Sequence, residues 1–95
     1  MSKAYLVAHI RVHDKDAFEK FKSMSGPAIA DHGGKVLARN PSPDHREGDL
    51  RGLTILIEFE DMGAARGFYE SDAYTAARAV RETAAETDLM LVEGI

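Results

Sequence analysis

The sequence contains no cysteine and no tryptophan. Without cysteine, the chain cannot form a disulfide, a thiolate metal site or a cysteine nucleophile. No apolar run approaches the roughly 20 residues that a membrane helix needs, and the start of the chain does not have the plan of a signal peptide. These absences predict a cytoplasmic protein without disulfides.

Long stretches of one charge are also missing. Acidic and basic residues are interspersed along the 95 residues and give a net charge of −4. The basic patch that is typical of proteins that bind a phosphate backbone is therefore not present. Neither the GxGxxG pattern nor the Walker pattern occurs. We expect no nucleic acid and no membrane as partner, and we predict no cofactor.

The remaining features are those of one small domain. The hydrophobic share is 44% and the charged share is 29%, which are ordinary values for a globular protein. The chain is long enough for one domain only, which we assign to residues 1–95.

Four stretches of the chain alternate between two kinds of side chain, as β-strands with two different faces do. They lie at residues 4–12, 35–39, 53–60 and 88–93. One predicted face is cleanly apolar and contains Leu6, Ile10, Ile55 and Ile57. The other predicted face is mixed and contains Val7, His9, Arg11, Leu37, Arg39, Leu56, Glu58 and Leu91.

Residues with helical spacing lie between these strands. Asp14, Asp61 and Ser71 each stand before such a segment and are predicted to be N-caps. Gly26-Pro27 interrupts the first helical segment and predicts a break and restart there. The apolar stripe predicted for the last helix consists of Ala73, Ala77, Val80 and Ala84.

The order strand, helix, strand, strand, helix, strand predicts an α+β fold of the ferredoxin-like βαββαβ type with an antiparallel four-stranded sheet. Right-handed crossovers place both helical segments on one face of that sheet. The mixed face then stays uncovered, and covering each large apolar side chain on it would contribute about 1.5–3 kcal/mol. A second copy related by a two-fold axis is the simplest cover. We therefore predict a homodimer with a barrel-like interior.

Several strings along the chain match those of a known family. They are residues 26–34 (GPAIADHGG), 37–39 (LAR), 57–59 (IEF), 68–74 (FYESDAY), Arg78 and residues 92–94 (VEG). Together they resemble the bacterial domain-of-unknown-function family thirteen-thirty, which belongs to the dimeric α+β barrel superfamily. This resemblance covers nearly the whole chain and implies a ferredoxin-like protomer in a homodimer.

The resemblance implies no single activity. The wider superfamily includes cofactor-independent oxygenases of polycyclic quinols, enzymes similar to muconolactone isomerase, haem-binding members and ligand-sensing domains. Because one fold carries many functions, membership alone does not choose among these.

Two charged residues of the predicted mixed face are the first candidates for a functional site. Arg39 offers a planar fork for a carboxylate or an enolate. Glu58 in a partly dry cavity would be suited to proton transfer. A structural ion pair between Arg39 and Glu58 inside the dimer accounts for the same residues, and the sequence leaves both interpretations open.

Histidines are the next candidates. His32 lies within the family-matching string and is either a general base or a helix C-terminal cap. His9 either lines the pocket or is an ordinary interior histidine. His9 and His13 would lie on one face about 13 Å apart, at about 3.3 Å per residue. They therefore cannot both ligate one metal ion at about 2 Å, and we predict no metal site.

Ser71 and Tyr74 begin the last helix and are predicted to bind substrate near the rim of the barrel. Helix capping is the alternative role for Ser71. No pattern of a nucleophile elbow accompanies Ser71, so covalent serine catalysis is not expected.

These observations predict a small homodimer that binds a small organic acid or a quinol-like metabolite. As an enzyme it would be a cofactor-independent isomerase or oxygenase. The predicted catalytic residues are His32 and Glu58, and the predicted substrate-binding residues are Arg39, His9, Ser71 and Tyr74. The alternative is a non-catalytic ligand-binding or stress-associated module with a structural Arg39–Glu58 pair. The sequence does not decide between the two.

Overall fold

The computed structural model describes residues 2–95, which form a four-stranded antiparallel sheet with helices on one face. The elements are β1 (Ala4–Val12), α1 (Lys15–Asp31), β2 (Lys35–Asn40), β3 (Leu53–Phe59), α2 (Met62–Glu70), α3 (Asp72–Ala84) and β4 (Ala85–Glu93). The strands lie in the order β2-β3-β1-β4. This architecture confirms the predicted ferredoxin-like fold class. Within residues 2–95, no helix has the length and apolar character needed to cross a membrane.

The three helices begin where the sequence predicts. The side-chain oxygens of Asp14, Asp61 and Ser71 each accept a hydrogen bond from the backbone N–H three residues later, at 3.1, 2.8 and 3.1 Å. Each bond satisfies one of the N–H groups that the first turn of a helix leaves free. The three predicted N-caps are confirmed.

The break predicted at Gly26-Pro27 is wrong, because α1 continues through Pro27. Proline has no N–H, so the carbonyl of Ser23 loses its helical partner. Ser23 and Pro27 are both exposed, and water can take the place of the missing donor. Gly26 has no Cβ to clash with the proline ring.

The hydrophobic core lies between the helices and one face of the sheet. The rings of Phe59, Phe68 and Tyr74 stack across it with centroid distances of 5.3 and 4.5 Å. Phe59 and Phe68 are the largest side chains that are fully buried. The predicted apolar face is confirmed, since it supplies Leu6, Ile10, Ile55 and Ile57 to this core.

In strand β2, the pairing with β3 shifts at a β-bulge between Val36 and Ala38, which makes Leu37 an extra residue. Side chains of a strand point alternately to its two faces, so one extra residue moves every later side chain to the opposite face. Beyond the bulge, Arg39 pairs with Ile55 and therefore lies on the helix-covered face.

The placement of Arg39 and Glu58 on one face is therefore wrong. Glu58 lies on the opposite face, where it pairs with Tyr5 of β1 and Lys35 of β2. A structural Arg39–Glu58 ion pair in the barrel interior is excluded by this geometry, because it needs both side chains on the uncovered face.

Leu91 is a second residue that the sequence assigns to the wrong face. It pairs with Leu6 and packs against the core. Met90 and Val92 take the uncovered side of β4 and are exposed. Since residues 89–92 are all apolar, their alternation carries no information about which of them point to the core.

The face of the sheet without helices, called the uncovered face below, has an apolar centre and polar edges. Leu56, Val7 and Met90 lie directly opposite one another on β3, β1 and β4 and form a row across its middle. The other residues of the uncovered face on these strands are Tyr5, His9, Arg11, Thr54, Glu58, Glu86, Asp88 and Val92.

Candidate functional site

A cavity lies between the helix-covered face of the sheet and the helices. The space open to the centre of a water-sized sphere is ≈ 50 Å³, and the unfilled space including the open mouth is ≈ 510 Å³. Its walls are mainly apolar and include Leu6, Phe21, Ile55, Ile57 and Phe68. A concave site with apolar walls and few polar groups is typical of small-molecule binding.

The charged groups of this cavity are all positive. Among residues 2–95, Lys22, Arg39 and Arg81 line it, and no aspartate or glutamate does. The whole chain has a net charge of −4, so the charge of the cavity is opposite to that of the protein. A small cavity with three cationic side chains is suited to an anionic ligand.

Arg81 is the most unusual of the three cations. Its residue is only 6% exposed, and its Nη1 donates a hydrogen bond to the hydroxyl of Tyr74 at 2.5 Å. Its guanidinium also lies 5.8 Å from the ring centroid of Phe21. The buried Nε has no hydrogen-bond partner, and no carboxylate of residues 2–95 pairs with the guanidinium. A buried charge without a counterion is costly, and an anionic ligand would supply the missing counterion.

Tyr74 supplies a second polar group beside Arg81. Burial raises the pKa of the Tyr74 hydroxyl above its usual value, and the nearby charge of Arg81 opposes this with a smaller effect. The phenol is therefore neutral at physiological pH. Because its oxygen accepts from Arg81, its own proton is free to be donated to a ligand oxygen.

The polar groups Arg39, Lys22 and Ser25 line the cavity on β2 and α1. Arg39 is exposed, and its guanidinium makes no ion pair or hydrogen bond with any group in the described part of the chain. Lys22 pairs with Glu19 at 2.9 Å. The Ser25 hydroxyl has only a long contact of 3.5 Å, to the carbonyl of Lys22. We place the mouth of the cavity here, since two of these three side chains reach solvent.

Of the six site residues predicted from the sequence, the structure brings Arg39 and Tyr74 to the cavity. Ser71 does not line it, because its hydroxyl caps α3 and donates to the carbonyl of Phe68 at 2.7 Å. His32 does not line it either. The Nδ1 atom of His32 lies 2.9 Å from the carbonyl of Ala28, and its ring packs edge-on to Phe68 at 6.0 Å.

The remaining two predicted residues, Glu58 and His9, lie on the uncovered face. His9 Nδ1 is 3.2 Å from Thr54 Oγ1. The side chains of His9 and Thr54 also border a second, open depression of ≈ 350 Å³ under the loop between β2 and β3. Within residues 2–95, no three His, Asp or Glu side chains are grouped so as to hold a metal ion. The functional roles predicted for His32, Glu58, His9 and Ser71 stay predictions.

Arg81 was missed because the predicted stripe of α3 contains Ala77 and Ala84 correctly but has Ala73 and Val80 where the buried residues are Tyr74 and Arg81. The buried residues of this helix are Tyr74, Ala77, Arg81 and Ala84. A stripe through Tyr74 and Ala77 at spacings of three and four residues continues to Arg81. An arginine within an otherwise apolar stripe was the available signal.

The sequence profile of the family described as "Domain of unknown function (DUF1330)" matches residues 3–95. No curated protein matches the sequence. Solved structures that resemble the chain include a protein of unknown function from Rhodopseudomonas palustris. That structure has a TM-score of 0.81 and 16% sequence identity, over 99% of this chain and 83% of that one.

Two further similar structures carry more description. SnoaB from Streptomyces nogalater is a cofactor-independent oxygenase, with a TM-score of 0.67 and 16% identity over 96% of this chain and 91% of that chain. A dimeric protein of unknown function and ferredoxin-like fold from Bacteroides fragilis has a TM-score of 0.64 and 11% identity. The match covers 96% of this chain and 95% of that chain. At these identities the likeness concerns the fold.

Proposed function

We propose that this chain, which belongs to the family described as a domain of unknown function (DUF1330), binds a small organic anion between its sheet and its helices. The observation that carries the proposal is the buried guanidinium of Arg81, which lines the cavity without a carboxylate partner. An anionic oxygen at this position would provide the missing counterion and accept hydrogen bonds from Arg81 and Tyr74.

The walls of the cavity define the rest of the ligand. Between the cationic groups, the lining consists of aliphatic side chains and the rings of Phe21 and Phe68. Apolar contacts of this kind favour a flat, conjugated body over a sugar or a phosphate ester. We therefore propose an aromatic or unsaturated carboxylate, phenolate or enolate.

The same groups would support chemistry on such a ligand. Removal of a proton from a quinol or an enolisable acid leaves an oxyanion, and prearranged donors such as Arg81 and Tyr74 stabilise the charge that develops. Isomerases and cofactor-independent oxygenases both pass through anions of this type. The shared fold of SnoaB is consistent with an oxygenase, and we propose this class as the activity.

The proton acceptor is not among the residues of this cavity. No carboxylate or imidazole of residues 2–95 lines it, so we do not assign this proton transfer to His32 or Glu58. A phenol with a low pKa would arrive as the anion and need no base. The alternative is that the protein binds such an anion without catalysis, which a measurement of turnover distinguishes.

Thermal shift measurements with benzoate, salicylate and a series of naphthols test the binding proposal. Arg81→Met should remove the stabilisation by these compounds. Arg78→Met is the matched control, because Arg78 is on the same helix as Arg81 and donates to the hydroxyl of Tyr69 on α2 at 2.8 Å, but does not line the cavity. No stabilisation of the wild type, or equal loss in both variants, would refute the proposal.

Oxygen uptake with hydroquinones and naphthols tests the activity. We expect consumption that depends on Arg81 and on no added metal or cofactor. Binding that depends on Arg81 without turnover would favour the non-catalytic alternative.

We further propose that a second copy of the chain covers the uncovered face. The apolar row of Leu56, Val7 and Met90 supports this, since Met90 is 55% exposed in the single chain. The similar protein from Bacteroides fragilis is described as dimeric. Sedimentation velocity at micromolar concentration tests the proposal, and a single species with the mass of one chain would contradict it.

A further inference from the structure

We infer that the cavity prefers ligands with two negatively charged groups, one at each end of an apolar body. This inference rests on the proposed function, because it takes the Arg81 end as an anion site. It adds a second anion site at the mouth, formed by Arg39, with Lys22 as a further cation that lines the cavity.

The two cationic regions belong to different parts of the fold. Arg81 is on α3, which leads directly into β4 at one edge of the sheet, and Arg39 is on β2 at the other edge. Strands lie about 4.8 Å apart, so these edges are separated by about 14 Å. The wall between them consists of apolar side chains of the central strands, including Leu6, Ala8, Ile55 and Ile57.

Arg39 reaches this cavity only because of the bulge at Leu37. In a regular strand Arg39 would pair with Thr54 on the uncovered face, but the extra residue turns it to the helix-covered side, where it pairs with Ile55. On that side it has no carboxylate partner among residues 2–95. Lys22 already pairs with Glu19. Arg39 is thus the unpaired cation of the mouth.

The two sites should differ in strength. Arg81 is buried, so an anion there is held in a medium of low dielectric constant and is screened little. Arg39 is exposed, and ion pairs at exposed sites change an equilibrium by about fivefold at most. The second negative charge should therefore add selectivity to binding that depends mainly on Arg81.

Pairs of acids with the same body provide the test. Benzoate is compared with terephthalate, which has carboxylates at opposite ends, and with phthalate, which has the same charge on adjacent carbons. Octanoate and suberate form a longer, flexible pair. Affinities are measured by calorimetric titration at constant ionic strength. We expect the end-to-end diacid of at least one pair to bind about three- to fivefold more tightly than its monoacid, and phthalate to show no such gain.

Arg39→Gln should lower the affinity for the diacid about three- to fivefold more than the affinity for its monoacid, which removes the preference, whereas Arg39→Lys should keep part of it. Arg66→Gln is the matched control, since Arg66 is an equally exposed arginine on α2 that does not line the cavity. Two results would overturn this inference and leave the proposed function intact. In the first, monoacids bind in a way that depends on Arg81, but no diacid binds more tightly. In the second, a preference for the diacid exists, but Arg66→Gln removes it as well. Absence of binding by every acid would overturn both.

Discussion

An arginine lies on each side of the sheet, and the two have opposite surroundings. On the uncovered face, the Nη2 atom of Arg11 lies 3.0 Å from Asp88 and its Nε lies 3.8 Å from Glu86. On the helix-covered side, Arg81 is buried and has a tyrosine hydroxyl as its hydrogen-bond partner. The first arginine is neutralised by its own chain, and the second is not.

The energies of these two situations explain why the difference is informative. A partly exposed pair such as that of Arg11, whose side chain is 33% exposed, contributes about 0–1 kcal/mol and requires no function to explain it. A buried, unpaired charge costs several kcal/mol. Violations of this kind are expected at functional or strained sites. The contrast between Arg11 and Arg81 is therefore the reason for proposing the site on the covered side.

The largest effect should come from truncating the core that forms the cavity wall. Phe68 is 0% exposed and stacks on both Phe59 and Tyr74. We expect Phe68→Ala to lower the free energy of unfolding by about 3–5 kcal/mol, as measured by urea denaturation. Val92→Ala on the uncovered face should cost much less. Equal losses of stability in the two variants would mean that the covered and uncovered faces do not differ in burial.

A charge in the middle of the uncovered face should have the next largest effect. Val7 lies at the centre of the apolar row, between Leu56 and Met90. In a two-fold dimer, Val7→Asp would bury two unpaired carboxylates and weaken association by about 2–5 kcal/mol.

Sedimentation at several concentrations measures this change. Glu58→Asp, which keeps the charge on the same face, is the control and should remain dimeric. A wild-type chain that sediments as a monomer, or a Val7→Asp variant with unchanged assembly, would show that the uncovered face is not an interface.

Most of the fold follows from local features of the sequence. The alternation in β1 and β3 is regular, and the caps at Asp14, Asp61 and Ser71 lie next to the helices that they begin. Such signals depend on neighbouring residues and on burial of one face. They were sufficient to predict the order of elements and the part of the core that β1 and β3 supply.

The site was less predictable because it depends on register. A single extra residue at Leu37 decides the face of Arg39, and a five-residue stretch of alternation cannot reveal a bulge. Arg39 and Tyr74 were chosen as ligand-binding residues, although Arg39 was assigned to the wrong face. Arg81 was overlooked because the stripe of α3 was placed on Val80. Their roles in binding stay predictions.

Removal of the buried charge of Arg81 should have a smaller effect, and it should leave the free energy of unfolding equal or raise it. Arg81→Met replaces an uncompensated cation with an apolar side chain of similar length. Replacements of buried ionic groups by apolar ones are often neutral or stabilising by about 1–4 kcal/mol.

Without ligand, we therefore expect Arg81→Met to unfold at an equal or higher urea concentration than the wild type, at the same protein concentration. Arg11→Met on the uncovered face should lower stability by about 1 kcal/mol or less. A strong loss of stability in Arg81→Met would indicate that the guanidinium is mainly a structural group.

The smallest expected effect is the change of the free energy of unfolding with pH that follows from the burial of Tyr74 on the covered face. Because burial raises the folded-state pKa of Tyr74 above its unfolded value, the native state holds this proton more tightly. The resulting stability is fully present below about pH 10, the pKa of an unperturbed tyrosine. It is lost as the pH rises through the raised pKa of the folded state.

Tyr74→Phe should therefore flatten the alkaline decline of stability, whereas Tyr5→Phe on the uncovered face should preserve it. Urea denaturation at a series of alkaline pH values, with tyrosinate absorbance followed in parallel, measures both variants. If Tyr5→Phe flattened the decline as much as Tyr74→Phe, the alkaline titration would not belong to the covered face. The burial of Tyr74 beside Arg81 would then have no measurable effect on the decline of stability at alkaline pH.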